Sequence, residues 1–107
     1  MKRGDVVLIV AQGDAGKPRP AVVVQSDLFN DTHASISVCP ISSTIVDAPM
    51  FRIALQPSPE NGLKKTSQVM VDKAQSLKRE RIKKRIGKLA EDEIQAVGAA
   101  LRQWFSL

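Results

Sequence analysis

The sequence predicts a mainly β domain, a small barrel of short strands with one α-helix at its C-terminal end. Short valine-rich or alternating apolar runs recur through the first two thirds of the chain, each bounded by turn-forming residues, the pattern of a small all-β fold. The apolar residues of the last segment recur instead at helical spacing. No repeat, low-complexity tract or linker divides the 107 residues, so the chain reads as a single domain over 1–107 with a real but modest core.

The strands follow in order. Residues 5–10 and 20–25 are short Val-rich apolar runs bounded by turn-formers, as expected of buried strands. Between them, 12–18 holds two glycines and a proline and is a loop. Residues 35–40 alternate, Ile36 and Val38 on one side, Ser35, Ser37 and Cys39 on the other; 51–55 alternate with Phe51, Ile53 and Leu55 inward. Asp47-Ala48-Pro49 forms an exposed turn, 56–62 a polar loop with two prolines and a final Asn-Gly, and 67–71 a further strand. Over 78–89 the spacing of Ile82, Ile86 and Leu89 fits a helix, and a strand with a bulge or turn near Gly87 fits equally. Glu91-Asp92-Glu93 places negative charge where a helix N-terminus favours it. Ile94, Val97, Leu101, Trp104 and Phe105 then make one apolar helix face, so the two aromatics read as packing anchors.

Charge and cysteine usage narrow the function classes. The net charge is +5, and ten of the sixteen Lys and Arg lie within 64–88 against only Asp72 and Glu80. A patch of that sign suits a polyanionic partner, nucleic acid or an acidic protein, although a solvated face has the same composition. No apolar run is long enough to span a bilayer or to form a signal-peptide core, and the lone Cys39 makes no internal disulfide; the chain reads as cytoplasmic. With one histidine, His33, no second cysteine and no Gly-rich phosphate loop, no metal or cofactor site is expected.

The chemistry-bearing residues cluster between 17 and 44. Arg19 is held between Pro18 and Pro20 at the mouth of a strand, which limits the ordering entropy its position costs. Ser42 and Ser43 follow Pro40-Ile41 at the end of the next strand. A fixed guanidinium facing hydroxyls suits a phosphodiester, while a surface arginine and turn-bonding serines would look the same. Asp72, beside Lys73, fits a local ion pair.

In order along the chain, Arg3-Gly4-Asp5-Val6-Val7, Arg19-Pro20-Ala21-Val22-Val23-Val24, Ser26-Asp27, Val38-Cys39-Pro40-Ile41-Ser42-Ser43, Ser67-Gln68-Val69-Met70-Val71-Asp72 and Ile86-Gly87-Lys88-Leu89 resemble the MazF/PemK family of bacterial toxins. The resemblance covers most of the chain. It implies a partly open SH3-like barrel (the CcdB/MazF-like fold), a homodimer, and a metal-independent endoribonuclease cutting single-stranded RNA, often mRNA, at a short sequence. In that reaction the 2′-hydroxyl attacks the adjacent phosphorus, leaving a 2′,3′-cyclic phosphate and a 5′-hydroxyl. Arg19 aligns with the family's catalytic arginine. Ser42 aligns with a position usually held by a catalytic threonine; it keeps the hydroxyl but lacks the methyl that restricts the rotamer. Some relatives carry Glu or His in the first loop as a base, whereas here that loop offers only Asp14; Asp72 is a second candidate carboxylate. Lys17, Ser43, Gln68, Lys73, Lys78, Arg79 and Arg81 are candidate RNA contacts, and the basic surface also suits an acidic, MazE-like antitoxin protein. The same barrel could instead serve a CcdB-like gyrase-binding toxin, or an RNA-binding protein without activity.

Overall fold

Residues 1–11, 13 and 16–107 are described by the structure, a computed structural model. The elements run β1 (Asp5–Ile9), β2 (Arg19–Val23), α1 (Asp27–Asn30), β3 (Ser35–Ser42), β4 (Arg52–Leu55), β5 (Ser67–Met70), β6 (Gln75–Lys78), β7 (Ile82–Lys88) and α2 (Glu91–Phe105). Short 3₁₀ turns at Val71–Lys73 and Arg79–Arg81 flank β6.

All the strand pairs are antiparallel, in the order β4-β5-β3-β2-β1-β7, with β6 also on β3. β3 organises the sheet. One edge pairs with β2; the other is shared, β6 taking Ser35 to Val38 and β5 taking Ile41 and Ser42. Pro40 explains where the change of partner falls. Ser37 points its N–H and C=O toward β2, bonding Gln25 Oε1 (3.1 Å) and the Val24 N–H (3.0 Å). By alternation Pro40 faces the other edge, where β6 has ended and β5 has not begun, so its missing N–H costs no ladder bond.

Only the three residues Arg79–Arg81 separate β6, on β3, from β7, on β1. The sheet must therefore curl until its β3 and β1 edges approach, which gives a partly open barrel. Its interior holds Val7, Ile9, Ala21, Val23, Ile36, Val38 and Leu77, with Ile82 packed against them. The alternate residues Val6, Val22, Cys39 and Ile41 face the other way, joining Leu55, Val69, Val71 and Leu89 beneath Val97 and Ala100 of α2. Both faces of β1 and β2 are thus buried, which is why their sequences are continuous rather than alternating. Each fully buried Val or Ile side chain contributes about 1.5–3 kcal/mol.

The residues 82–88, open between helix and strand in the sequence, form a strand. Its register on β1 slips between Val6, paired with Gly87, and Val7, paired with Arg85, leaving Ile86 as the extra residue of a bulge; a second slip follows at Lys83. β6 and the single-turn α1 carry no periodic signal of their own. Ser26 caps α1 by accepting from the Leu28 N–H (3.2 Å), and Asp27 accepts the Arg3 N–H (2.7 Å), which lowers its carboxyl pKa. At the start of α2, Glu93 Oε1 accepts the Ala90 N–H (2.8 Å). Trp104 reaches the Phe51 ring (centroids 5.6 Å apart), yet it and Phe105 stay 49% and 53% exposed, so they anchor the helix less completely than the apolar pattern predicts.

Gly87 is where β7 meets the loop before β5. A Cβ there would lie 2.3 Å from Glu60 O and 2.5 Å from the Asn61 carbonyl carbon, both backbone. Gly87→Ala is expected to destabilise the fold by about 1–3 kcal/mol and to lower Tm by roughly 4–8 °C per kcal/mol; an unchanged thermal unfolding curve would contradict this packing.

Candidate functional site

Continued two residues past its last pair, Ala21 with Pro40, the β2–β3 register sets Arg19 across from Ser42. Both line a cleft of about 820 Å³ whose walls also include Leu8, Pro20, Pro40, Ser43, Thr44, Leu63, Lys64, Lys65, Met70, Lys84 and Ile86. Among the described residues lining it, Arg19, Lys64, Lys65 and Lys84 are cations and none is an acid. The cleft therefore presents a positive field over a partly apolar floor, with hydroxyls on one side.

Each wall has its own support. Ser42, at the end of β3, accepts the Thr44 N–H on Oγ (3.0 Å), the local turn bond that serines favour. That bond occupies an oxygen lone pair and leaves the hydroxyl proton to be donated into the cleft. On the opposite wall Asn61, almost fully buried, accepts the Ser58 N–H (3.0 Å) and the Leu63 N–H (2.9 Å) and donates to Gln56 O (2.8 Å). Gly62, at φ 70°, lies so close to Ile86 O that a Cβ has no room. The Asn-Gly pair thus pins the loop to β7 and delivers Lys64 and Lys65 to the cleft.

The residues expected from sequence are not all gathered there. Arg19, Ser42 and Ser43 line the cleft. Lys17 is exposed two residues before Arg19, and Asp14 lies outside the described residues. Gln68 is 8% exposed and turned inward, its amide bonded to the Val46 backbone and Arg52. Lys78 pairs with Ser35, at the far end of β3 from Ser42. Over eight residues that is roughly 23 Å at the usual strand rise. Arg79 spends its guanidinium on His33 O (2.8 Å) and on Asn30 O, and Arg81 donates to Val10 O (3.4 Å). Lys73 pairs with Asp72 (3.3 Å), on the 3₁₀ turn that packs against α2 and β3 rather than among the cleft residues.

Lys64, Lys65 and Lys84 were not singled out by sequence. Nothing local marks them within the basic stretch; the contact of Gly62 with β7 and the bulged register of β7 bring them to Arg19. Among the described residues no group of three or more His, Cys, Asp or Glu is placed to hold a metal ion, and no helix is long and apolar enough to cross a membrane.

Residues 2–105 match the family model of PemK-like, MazF-like toxins of type II toxin–antitoxin systems. The chain belongs to this toxin family. It is 39% identical over 102 residues to a probable endoribonuclease MazF of Mycolicibacterium smegmatis, covering 94% of this chain and 93% of that protein. It is 31% identical over 111 residues to the endoribonuclease MazF9 of Mycobacterium tuberculosis, covering 95% and 93%. Its fold superposes on an endoribonuclease solved in complex with its cognate antitoxin from a mycobacterial species, with a TM-score of 0.85 at 20% identity over 100% of this chain and 96% of that one.

Within this MazF-like toxin chain, Cys39 is fully buried beneath α2, and burial, aided by the Asp72 carboxylate, pushes its thiol up to about 12. A protonated, inaccessible thiol is no nucleophile. Folded protein at pH 8 is expected to resist a thiol reagent that titrates one group after unfolding in urea; stoichiometric labelling of the native state would contradict the burial.

Proposed function

We propose that this protein is the endoribonuclease toxin of a type II toxin–antitoxin pair. It cuts single-stranded RNA, including mRNA, at a short sequence and without a metal ion. The observation that carries the reading is Arg19 set across from Ser42 in a cation-lined cleft.

The 2′-hydroxyl attacks the adjacent phosphorus. A 2′-O–P bond forms, the P–O5′ bond breaks, and the products carry a 2′,3′-cyclic phosphate and a 5′-hydroxyl. Negative charge grows on the non-bridging oxygens, where the planar guanidinium of Arg19 can donate two parallel hydrogen bonds. Ser42, its oxygen already accepting from Thr44, donates its proton to one of the same oxygens. Lys64, Lys65 and Lys84 hold flanking phosphates, with Lys17 and Ser43 at the margins. Lys73, Lys78, Arg79 and Arg81, away from the cleft, would meet only a longer RNA. The 2′-hydroxyl proton goes to a carboxylate of the first loop, for which Asp14 is the candidate; Asp72, away from the cleft, suits the role less. The leaving 5′-oxygen takes up a proton from solvent water.

An acidic antitoxin segment fits the same cleft and would block it by charge and volume together. The chain acts in the cytoplasm as a homodimer, for which the half-exposed Met50, Trp104 and Phe105 offer apolar surface. Gyrase binding and RNA binding without turnover are not favoured, since the two sequence relatives above are named as a probable endoribonuclease and an endoribonuclease.

Incubation with a long single-stranded RNA in EDTA, followed by end mapping, is expected to give discrete cuts with 5′-hydroxyl and cyclic phosphate ends. Arg19→Ala is expected to lower single-turnover cleavage roughly 10²–10³-fold, the scale of one lost oxyanion donor, with the fold intact. Cleavage within tenfold of wild type removes Arg19 from the chemistry, and the absence of any cutting removes the ribonuclease reading.

A further inference from the structure

Ser42 closes the β3–β5 ladder opposite Gln68. The residues 43–46 that follow it lie outside every strand, and side chains bond the backbone of Thr44 and Val46. The Gln68 amide grips Val46 from both sides, Nε2 donating to Val46 O (2.9 Å) and Oε1 accepting the Val46 N–H (3.2 Å). Arg52 Nη1 donates to the same Gln68 oxygen (3.1 Å) and to Thr44 O (3.2 Å). The Thr44 N–H in turn donates to Ser42 Oγ. A continuous chain of hydrogen bonds thus runs from a buried amide on β5 to the hydroxyl that faces Arg19.

This arrangement has a cost that packing does not repay. Gln68 lies between the buried Ser67 and Val69, where an apolar side chain would be buried without needing polar partners. Arg52 Nε is buried with no hydrogen-bond partner among the described residues. Such groups call for a reason beyond stability. Ser42 supplies one: without the β-methyl of threonine its χ1 is less restricted, and its hydroxyl needs an external hold to point at one place.

We propose that Gln68 and Arg52 are positioning residues that fix the Ser42 hydroxyl through the Thr44–Val46 backbone. This rests on the ribonuclease reading and assigns Gln68 an inward role in place of an RNA contact. An unclamped segment lets the serine oxygen wander, and a misplacement of about 1 Å can cost on the order of 10²-fold in rate. Because the hydroxyl matters as charge develops, the loss falls on the cleavage step and spares RNA affinity.

The test uses the full chain and a single-stranded RNA that the wild type cuts. Gln68→Met keeps the side-chain length and removes its hydrogen bonds; Arg52→Gln is the second variant if the first does not fold. Each is expected to lose amide hydrogen-exchange protection at Val46, to lower single-turnover cleavage at saturating RNA by about 10–100-fold, and to leave the RNA Kd within about threefold. The double variant is expected to be no slower than the worse single, since both act on one chain of bonds. A cleavage rate within about twofold of wild type, or a loss confined to Kd, overturns the inference while wild-type cutting keeps the ribonuclease reading. Wild-type protein that cuts no RNA overturns both, and exchange at Val46 still reports whether the clamp exists.

Discussion

The structure depends on one eight-residue strand that must pair along both edges. β3 meets β2 on one side and divides the other between β6 and β5, and Pro40 sits where that division leaves no donor to satisfy. Shortening β3 would remove either the closing edge of the barrel or the anchor of β4 and β5. The same strand ends at Ser42, so the element that builds the core also places the hydroxyl. Functional groups at the ends of rigid strands are held more precisely than groups on free loops.

The cleft is assembled from pieces that are each locally over-specified. Asn61 and Gly62 shape the loop that carries two lysines, and the close approach of Gly87 seats that loop on β7. Gln68, Arg52 and Ser42 satisfy the backbone of the segment opposite. Arg19 enters between two prolines. Little ordering is left for a ligand to impose, which suits the proposed RNA site of a small domain with four aromatic residues and hence no broad stacking platform.

Charge is used in two different ways. Arg79 and Arg81 lie in the most basic stretch but donate to the backbone carbonyls of Asn30, His33 and Val10, fastening loops to the barrel. Arg85 pairs with the buried Asp5 (3.1 Å). The lysines at 64, 65 and 84 project into the cleft. A long side chain that can fork around carbonyls suits the first task, and a compact mobile ammonium suits phosphate contact.

Much of the architecture was legible in the sequence because it rests on local periodicity. Continuous Val runs announced β1 and β2, alternation announced β3 and β4, and helical spacing with an acidic first turn announced α2. Arg19 and Ser42 stood out because prolines and strand ends are visible in one dimension. β6 and α1 were not legible, being too short to show a period, and 82–88 stayed ambiguous because two bulges break the alternation that marks a strand. The lysines of the cleft, the inward turn of Gln68 and its grip on Val46 were decided only in three dimensions. They depend on which distant backbone a side chain meets, and composition carries no record of that.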